Sequence, residues 1–407
     1  MAALEDRKLW LVGIGGVGMS GLALVAKARG AEVAGSDSAK SATTERLLAS
    51  GIAVTIGHAA ENVPDGFEVV ASSAIASDNP EVDGRFVLQR ATLLAQLIGE
   101  SPSIVVAGAH GKTTTASMIA FCLDRLGDDP TFMIGGGVPQ LGTNARAGQG
   151  WTVAEGDESD GSLLALSPTI AVITNIDHDH HATFASRSEV SALFDAWLSD
   201  GASSAKLVRG EDVDVDSVVD LSVPGDHNRK NAACAIGALV YAGFEREAIE
   251  EVLPAFTGVA RRFESHGEVD GVLLYDDYAH HPTEVAATLQ AARSLSAANR
   301  VIAVFQPHLF SRTEHLAHEF GAALALADAV CVVGIYAARE QPRRGVSAKL
   351  VVDAISDQRQ GVRVGFAPQL ADAAPIVASW LCPGDILLTL GAGDVNTLIP
   401  IVARELI

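Results

Sequence analysis

The sequence predicts an α/β protein made of three domains in series. Short apolar runs typical of buried strands alternate with segments of helical spacing along the whole chain. The 407 residues allow two or three domains at roughly 150 residues per domain. Two glycine-rich turns each stand between a strand-like run and a helix-like run, so the chain is expected to hold two phosphorylated ligands at once. That arrangement suggests a reaction between them.

Two breaks divide the chain, one near "QLIGESPS" and one in "FTGVARRF". The predicted domains are therefore residues 1–97, 98–258 and 259–407. Apolar runs rich in β-branched residues predict strands in each domain. These strands are Leu9–Val12, Glu32–Gly35, Val69–Ser72, Ile104–Ala107, Ala171–Thr174, Val272–Tyr275, Val301–Phe305, Ala329–Val333 and Ile386–Leu390.

The composition narrows the class of partner. The chain has 29 basic and 50 acidic residues, a net charge of −21, so its overall field repels nucleic acid and anionic membrane surfaces. Its 4 cysteines show no paired spacing, which favours a reducing compartment over a disulfide or metal role. No segment is long and apolar enough to span a bilayer. We expect a soluble, cytoplasmic protein that binds neither nucleic acid nor membrane.

The first glycine turn reads "GIGGVG" and begins at Gly13. Its glycines allow a tight turn and a close approach of backbone N–H groups to a phosphate at a helix N-terminus. Asp37 ends the next predicted strand, where an acid can accept hydrogen bonds from a ribose or base. Alone, this pattern favours a nicotinamide-dependent oxidoreductase, or a tight turn without a ligand. Binding of some diphosphate is preferred, and the nucleotide stays open.

The second glycine turn reads "GAHGKTTT" and begins at Gly108. It is shorter than the full P-loop pattern, but it follows a predicted strand and precedes a helix, as a P-loop does. Backbone N–H groups would wrap phosphates, Lys112 would neutralise charge, and Thr113 could ligate Mg²⁺. The alternative is a capped helix start with solvated polar residues. ATP binding is the preferred interpretation.

Two later segments carry candidate metal ligands. "EGDESD" begins at Glu155, and "DHDHH" runs from Asp177 at the end of a predicted strand. Carboxylates suit Mg²⁺, and one imidazole can complete the shell. The alternatives are a zinc site in "HDHH" or a polar loop without metal. The absence of a nearby cysteine and the many carboxylates favour magnesium.

With these motifs in place, the sequence resembles the Mur ligase family along essentially its whole length, and within it the alanine-adding branch. The resemblance rests on ordered motifs, among them "GIGGVGMSG", "GAHGKTTT", "EGDESD", "TNIDHDHH", "GDHNRKNAACA", "DDYAHHPTE" and "FQPHLFSRT". It implies an N-terminal Rossmann-like UDP-binding domain, a central P-loop ATPase-type domain and a C-terminal Rossmann-like domain. It further implies ATP-dependent joining of L-alanine to the lactoyl carboxylate of UDP-N-acetylmuramate through an acyl phosphate, in peptidoglycan precursor synthesis.

The resemblance also assigns the two nucleotide sites. The UDP-sugar would be held by the first turn, an acid and two serines: Gly13, Gly15, Gly16, Gly18, Asp37, Ser72 and Ser73. ATP would be held by the second turn and three later side chains: Gly108, Ala109, His110, Gly111, Lys112, Thr113, Thr114, Asn228, Asn231 and Arg262.

The amino-acid site and the catalytic groups follow in the same way. Tyr278, His280, His308 and Arg312 would bind the amino acid; an arginine fork suits its carboxylate, and histidines could help the ammonium lose its proton. The implied magnesium ligands are Thr113, Glu155 and His180. The implied catalytic set is Lys112, Glu155, His180, His280, His308 and Arg312.

The sequence departs from the family pattern in the central domain. Only residues 181 to 226 separate His180 from His227, so edge strands of that domain are expected to be missing. Two alternatives remain: a recycling ligase that attaches a preformed peptide to UDP-N-acetylmuramate, and a non-catalytic nucleotide-binding relative. The expected partners are small-molecule substrates, and the expected assembly is a monomer or weak homodimer.

Overall fold

The computed structural model describes residues 4–178, 183–295, 300–338, 340–359 and 361–406. The described residues form three β-sheets with helices between the strands, which confirms the α/β class and the three-sheet architecture. The chain divides into two compact units: Met1–Asp220 with Lys230–Phe256, and Leu221–Arg229 with Thr257–Ile407. The predicted domain boundaries near residues 98 and 258 stay predictions.

The first sheet is parallel throughout and has the strand order β3-β2-β1-β4-β5. The order reverses between β1 and β4, and in open α/β sheets ligands bind at such a switch point, beyond the carboxyl ends of the strands. Its strands are β1 (Lys8–Val12), β2 (Glu32–Asp37), β3 (Ala53–Ile56), β4 (Glu68–Ala71) and β5 (Val87–Gln89), and its helices are α1 (Val17–Ala28), α2 (Ala42–Ala49) and α3 (Arg90–Ile98).

The second sheet has the order β11-β10-β6-β9-β7-β8, with β8 antiparallel to β7. Its strands are β6 (Ser103–Ala107), β7 (Thr131–Val138), β8 (Thr143–Arg146), β9 (Thr152–Glu155), β10 (Ile170–Ile173) and β11 (Lys206–Arg209), followed or separated by α4 (Lys112–Arg125), α5 (Arg187–Ser199), α6 (Asp226–Tyr241) and α7 (Arg246–Val252).

The third sheet has the order β12-β13-β17-β14-β15-β16, and only β12 pairs antiparallel among its described strands. Its strands are β12 (Glu264–Val269), β13 (Val272–Asp277), β14 (Val301–Phe305), β15 (Ala329–Val333), β16 (Arg363–Ala367) and β17 (Ile386–Leu390), and its helices are α8 (Pro282–Leu295), α9 (Phe310–Leu324), α10 (Lys349–Gln358), α11 (Leu370–Ala378) and α12 (Ile399–Glu405).

The central strands are buried along their full length. Every residue of β6, β14, β15 and β17 is buried, as expected for parallel strands covered on both faces. In the first unit one apolar core includes Leu22 of α1 and Met133 of β7, and a Cβ on Gly21 would lie 3.4 Å from that of Ala145. The first two sheets therefore share a core, which explains why they belong to one compact unit.

Two further features bear on the sequence expectations. Among the described residues, no helix combines the length and the apolar character that a membrane crossing needs. Cys122, Cys234 and Cys331 are buried and Cys382 is exposed. Burial raises the pKa of the Cys122 thiol to about 12, so that thiol is unreactive.

Candidate functional site

The first glycine turn connects β1 to α1 and is fastened by Asp37. Gly13 has a φ of +73°, a left-handed conformation that favours glycine. The Gly15 N–H donates to Asp37 Oδ2 at 2.9 Å, and the Ala39 N–H donates to Asp37 Oδ1 at 3.2 Å. A Cβ on Gly15 would lie 2.8 Å from Asp37 Oδ2. Asp37 thus lies against the turn, and its carboxylate also fixes the local backbone.

The predicted serines follow β4 at the same edge of the sheet. Ser73 Oγ donates to Asp160 Oδ2 at 2.7 Å, which links this edge to the "EGDESD" segment within the first unit. Burial alone would raise the pKa of Asp160, but hydrogen bonds from Ser73 and Ser162 and the charge of Arg90 lower it below its ordinary value. Asp160 is therefore an anchored carboxylate at the predicted UDP-sugar site.

The second glycine turn connects β6 to α4 and is clamped by two residues that follow β10. Thr174 Oγ1 and Asn175 Nδ2 donate to the His110 carbonyl at 2.6 and 2.7 Å, and the His110 N–H donates to Asn175 Oδ1 at 3.0 Å. Gly108 has a φ of +126°, and a Cβ there would lie 2.3 Å from Thr174 Oγ1. The loop shape depends on glycine at this position.

Lys112 lies inside this turn and pairs with Glu158. Its ammonium donates to the Gly108 carbonyl at 2.6 Å and to both Glu158 oxygens at 3.0 and 3.1 Å. Burial alone would lower the pKa of Lys112, but the carboxylates of Glu158, Asp157 and Glu155 raise it above its ordinary value. Lys112 is therefore a cation held inside the second glycine turn, and a lysine in a loop of this kind can neutralise a terminal phosphate.

Thr113 and Glu155 form the best candidate for a magnesium site. Thr113 Oγ1 donates to Glu155 Oε2 at 3.0 Å, and the Gly135 N–H donates to Glu155 Oε1 at 2.5 Å. These hard oxygen donors at the start of α4 and the end of β9 fit the preference of Mg²⁺. The third predicted ligand, His180, and its neighbour His181 lie outside the described residues.

The neighbouring "DH" residues make other contacts. Asp177 Oδ2 lies 3.3 Å from His110 Nε2, and His178 Nε2 lies 3.0 Å from the Phe184 carbonyl oxygen.

The three predicted ATP-site residues that follow the second glycine turn in the chain differ in their surroundings. Asn231 is buried in α6, and a Cβ on Gly111 would lie 2.3 Å from its Oδ1, so the amide of Asn231 lies against the second glycine turn. Asn228 is also buried, and its Nδ2 donates to the Pro224 carbonyl at 2.7 Å. Arg262 belongs to the second unit: its guanidinium lies 5.1 Å from the Tyr278 ring centroid, and its Nη1 lies 3.7 Å from Glu284 Oε1.

The second unit brings the predicted amino-acid residues together at the carboxyl edge of its sheet. Tyr278 and His280 follow β13, and His308 follows β14. Ring centroids are 5.3 Å apart for Tyr278 and His280 and 6.0 Å apart for His280 and His308. Arg312, buried in α9, has its Nη1 3.5 Å from His308 Nδ1. The four residues form one cluster, as the sequence predicts.

His280 is oriented by its neighbours. Its Nδ1 lies 3.0 Å from the Tyr278 carbonyl oxygen and 3.4 Å from Glu284 Oε2, and its backbone N–H donates to Glu284 Oε2 at 3.1 Å. Because a carbonyl only accepts, Nδ1 carries the hydrogen in that contact. Glu284 is thus shared by His280 and Arg262, which fixes the edge of the cluster.

The buried acid Asp277 holds the backbone next to this cluster. Asp277 accepts the Phe263 N–H at 2.8 Å and the Ala279 N–H at 2.7 Å. Burial raises its pKa to about 7, although Arg262 opposes this rise. Arg261 donates to Asp276 and to the Gly391 and Gly393 carbonyls. Together these bonds join the loops that follow β13 and β17.

Several contacts were missed in the sequence interpretation. Glu158 was seen only as one of several acids, Asn175 and Gly135 were not singled out, and Tyr336 was not included although its ring stacks on His308 at 5.8 Å. The position of Asn175 and Tyr336 just after predicted strands was a usable signal. Gly135 belongs to "GGG", a third glycine run that could have drawn attention.

Three family models match the chain in order. They are the Mur ligase family catalytic domain at residues 9–100, the Mur ligase middle domain at 106–196 and the Mur ligase glutamate ligase domain at 261–393. The curated UDP-N-acetylmuramate–L-alanine ligase of Saccharopolyspora erythraea is 42% identical over 464 residues, covering 100% of this chain and 94% of that protein. The enzyme of the same name from Desulforamulus reducens is 40% identical over 457 residues, covering 99% of this chain and 98% of that protein.

Solved structures agree with these matches. The UDP-N-acetylmuramate-alanine ligase of Thermotoga maritima superposes with a TM-score of 0.82 at 26% identity, covering 98% of this chain and 99% of that one. A murein peptide ligase of Psychrobacter arcticus has a TM-score of 0.69 at 22% identity, covering 98% and 99%, and supports the fold alone. The alignment with the Saccharopolyspora protein is longer than this chain, so it contains gaps in this chain; their expected place in the central domain stays a prediction. The chain belongs to the Mur ligase family.

Proposed function

We propose that this chain is an ATP-dependent ligase that joins L-alanine to the lactoyl carboxylate of UDP-N-acetylmuramate in peptidoglycan precursor synthesis. One observation carries the proposal: the phosphate loop with its prepared Lys112 and Thr113 lies in a chain similar, over its whole length, to UDP-N-acetylmuramate–L-alanine ligases. Because both nucleotide substrates are intracellular, the reaction belongs in the cytoplasm.

The reaction has two chemical steps. A carboxylate oxygen of the muramate attacks the γ-phosphorus of ATP, the bond to the bridging oxygen breaks, and ADP leaves. The alanine amine then attacks the carbonyl carbon of the acyl phosphate and loses a proton, and inorganic phosphate leaves from a tetrahedral intermediate. Such a reaction depends mainly on positioning and charge neutralisation.

Lys112 neutralises the transferred phosphoryl group. Its contacts with Glu158 and Gly108 hold the ammonium within the loop before ATP arrives, so little reorganisation is needed on binding. Backbone N–H groups of the turn from Gly108 to Thr114 hold the phosphates, and His110, Ala109 and Gly111 contribute through the backbone that Asn175 clamps.

Thr113 and Glu155 would hold Mg²⁺, and His180 is proposed as a further ligand. The supporting observation is the 3.0 Å contact of the hydroxyl with the carboxylate beside the phosphate loop. When bound, the ion would reduce repulsion between the phosphate and the attacking carboxylate.

Arg312, His308, His280 and Tyr278 would bind alanine in the second unit. The Arg312 guanidinium offers a fork for the α-carboxylate, and the two imidazoles are candidates to accept the ammonium proton. For the adenine of ATP we propose Asn228, Asn231 and Arg262; the position of Asn231 against Gly111 supports its part in the ATP site.

Phosphate release from ATP and Mg²⁺ by purified protein tests the proposal. The assay is run with UDP-N-acetylmuramate alone and then with L-alanine, L-serine, glycine or a stem tripeptide. Release that requires both UDP-N-acetylmuramate and L-alanine is the expected result. A preference for the tripeptide would instead identify a recycling ligase, and no release despite nucleotide binding would identify a non-catalytic relative.

A further inference from the structure

Arg90 lies at the carboxyl edge of the first sheet, where it begins α3 directly after β5. The strands β1, β2, β4 and β5 run parallel, so the residues that follow them meet at this edge. The first glycine turn, Asp37, Ser72 and Ser73 also occupy it. Arg90 was not among the residues that the sequence assigned to the UDP-sugar site.

The Arg90 guanidinium lies against the first glycine turn. A Cβ built on Gly18 would be 3.5 Å from Arg90 Nη1 and 3.8 Å from its Cδ, so the side chain passes beside the first turn of α1. Arg90 Nη2 donates to Ser162 Oγ at 3.5 Å, which is a long and weak hydrogen bond.

Arg90 has few electrostatic partners for a half-buried arginine. Within the described part of the chain it forms no ion pair, although the protein has 50 acidic and 29 basic residues. A guanidinium has five N–H donors, and Ser162 takes one of them weakly. Asp160 is near enough for Arg90 to lower its pKa, but its oxygens accept from Ser73 and Ser162. Most of the Arg90 donors are therefore available to an anion at the turn.

We propose that Arg90 binds the diphosphate of the UDP-sugar, an inference that rests on the proposed function. The residues that the sequence assigned to this site are glycines, two serines and Asp37, so the only formal charge among them is negative. Backbone N–H groups at a helix N-terminus supply about half a positive charge, too little for a diphosphate. An arginine fork matches phosphate oxygens in geometry and charge. Asp160 and Ser162 position that fork over the turn.

Binding of UDP and of uridine to purified protein, measured by calorimetry, tests the assignment. Arg90→Gln should weaken UDP binding by about tenfold to a hundredfold, the usual value of a charge-assisted hydrogen bond, and leave uridine binding unchanged because uridine has no phosphate. The matched control is Arg85→Gln, which removes the same charge from an exposed side chain whose Nη2 bonds the Ala60 carbonyl. The control should bind UDP like the parent.

Equal UDP affinity of the parent and Arg90→Gln would overturn the assignment. Equal weakening of UDP and uridine would also overturn it, since a structural defect would then explain the loss; thermal unfolding of each variant identifies such a defect. If the parent binds no UDP at all, the assignment of the UDP-sugar site is wrong, and so is the role of Arg90. If UDP binds through Arg90 but no ligation occurs, the inference stands and the proposed activity fails.

Discussion

The two glycine turns of the first unit each connect a strand to a helix, but the charged side chain at the first turn is an acid and that in the second turn is a lysine. The first turn is fastened by a carboxylate, Asp37, and has no lysine. The second is fastened by neutral Asn175 and Thr174 and contains Lys112. Glycine would let both loops come close to a phosphate, but the first turn itself carries no cationic side chain. The comparison indicates that a glycine pattern predicts where a phosphate would bind and not which side chain would neutralise it.

The largest effect is expected from Lys112→Met, which removes the charge that the second turn contains. Phosphate release should fall by about a hundredfold to a thousandfold, as when an oriented donor to a developing charge is removed. The substitution also removes the ammonium that pairs with the buried Glu158 carboxylate, so the unfolding temperature should fall as well.

The double variant Lys112→Met/Glu158→Gln separates these two effects. Its unfolding temperature should recover toward that of the parent because the buried negative charge of Glu158 is removed together with the ammonium, while its activity should stay low. Recovery of activity in the double variant would show that Lys112 acts only in folding.

The need for glycine in each turn is tested by comparing the stability of Gly108→Ala with that of Gly18→Ala. A Cβ at residue 108 meets Thr174 Oγ1 at 2.3 Å and the Asn175 carbonyl oxygen at 2.7 Å, at a φ of +126°. We expect a loss of about 2–4 kcal/mol in the free energy of unfolding, measured by denaturant titration.

At residue 18 the added Cβ makes only ordinary contact with Arg90. Alanine also suits a helix better than glycine, so stability should change by no more than about 1 kcal/mol. Equal losses at the two positions would contradict a special need for glycine at residue 108.

Glu155→Gln should raise the magnesium concentration needed for half-maximal phosphate release by about tenfold or more, because a neutral amide is a poorer ligand for a hard cation. The control is Glu32→Gln, an exposed strand residue that pairs with Lys8. An unchanged magnesium dependence in Glu155→Gln would remove Glu155 from the proposed ion site.

The smallest effect is expected from Asp37→Asn. The amide oxygen still accepts one backbone N–H, but the other bond that fastens the first turn is lost, worth about 0.5–1.5 kcal/mol. Uridine and UDP should both bind a few-fold more weakly in calorimetry. Unchanged affinity for both ligands would contradict a role of Asp37 in holding the turn.

Much of the fold was predictable because its signals are local. The predicted Leu9–Val12 and Ile104–Ala107 each differ from the observed strand by one residue, and Val301–Phe305 agrees in full, since buried parallel strands are continuous apolar runs. The missed contacts join residues far apart in the chain. Glu158 reaches Lys112 and Asn175 reaches His110 through the order of strands in the sheet, which no local pattern encodes. In the sequence Arg90 lies at the start of a helix, as many arginines do. Only its position beside Gly18 in the folded chain marks it as a candidate for binding.

The "EGDESD" segment places two carboxylates in different sites within three residues. Glu158 pairs with Lys112 in the phosphate loop, and Asp160 accepts from Ser73 at the first sheet. The spacing between Glu158 and Asp160 is therefore set by both of these contacts. Insertion or deletion of one residue between them would displace at least one carboxylate.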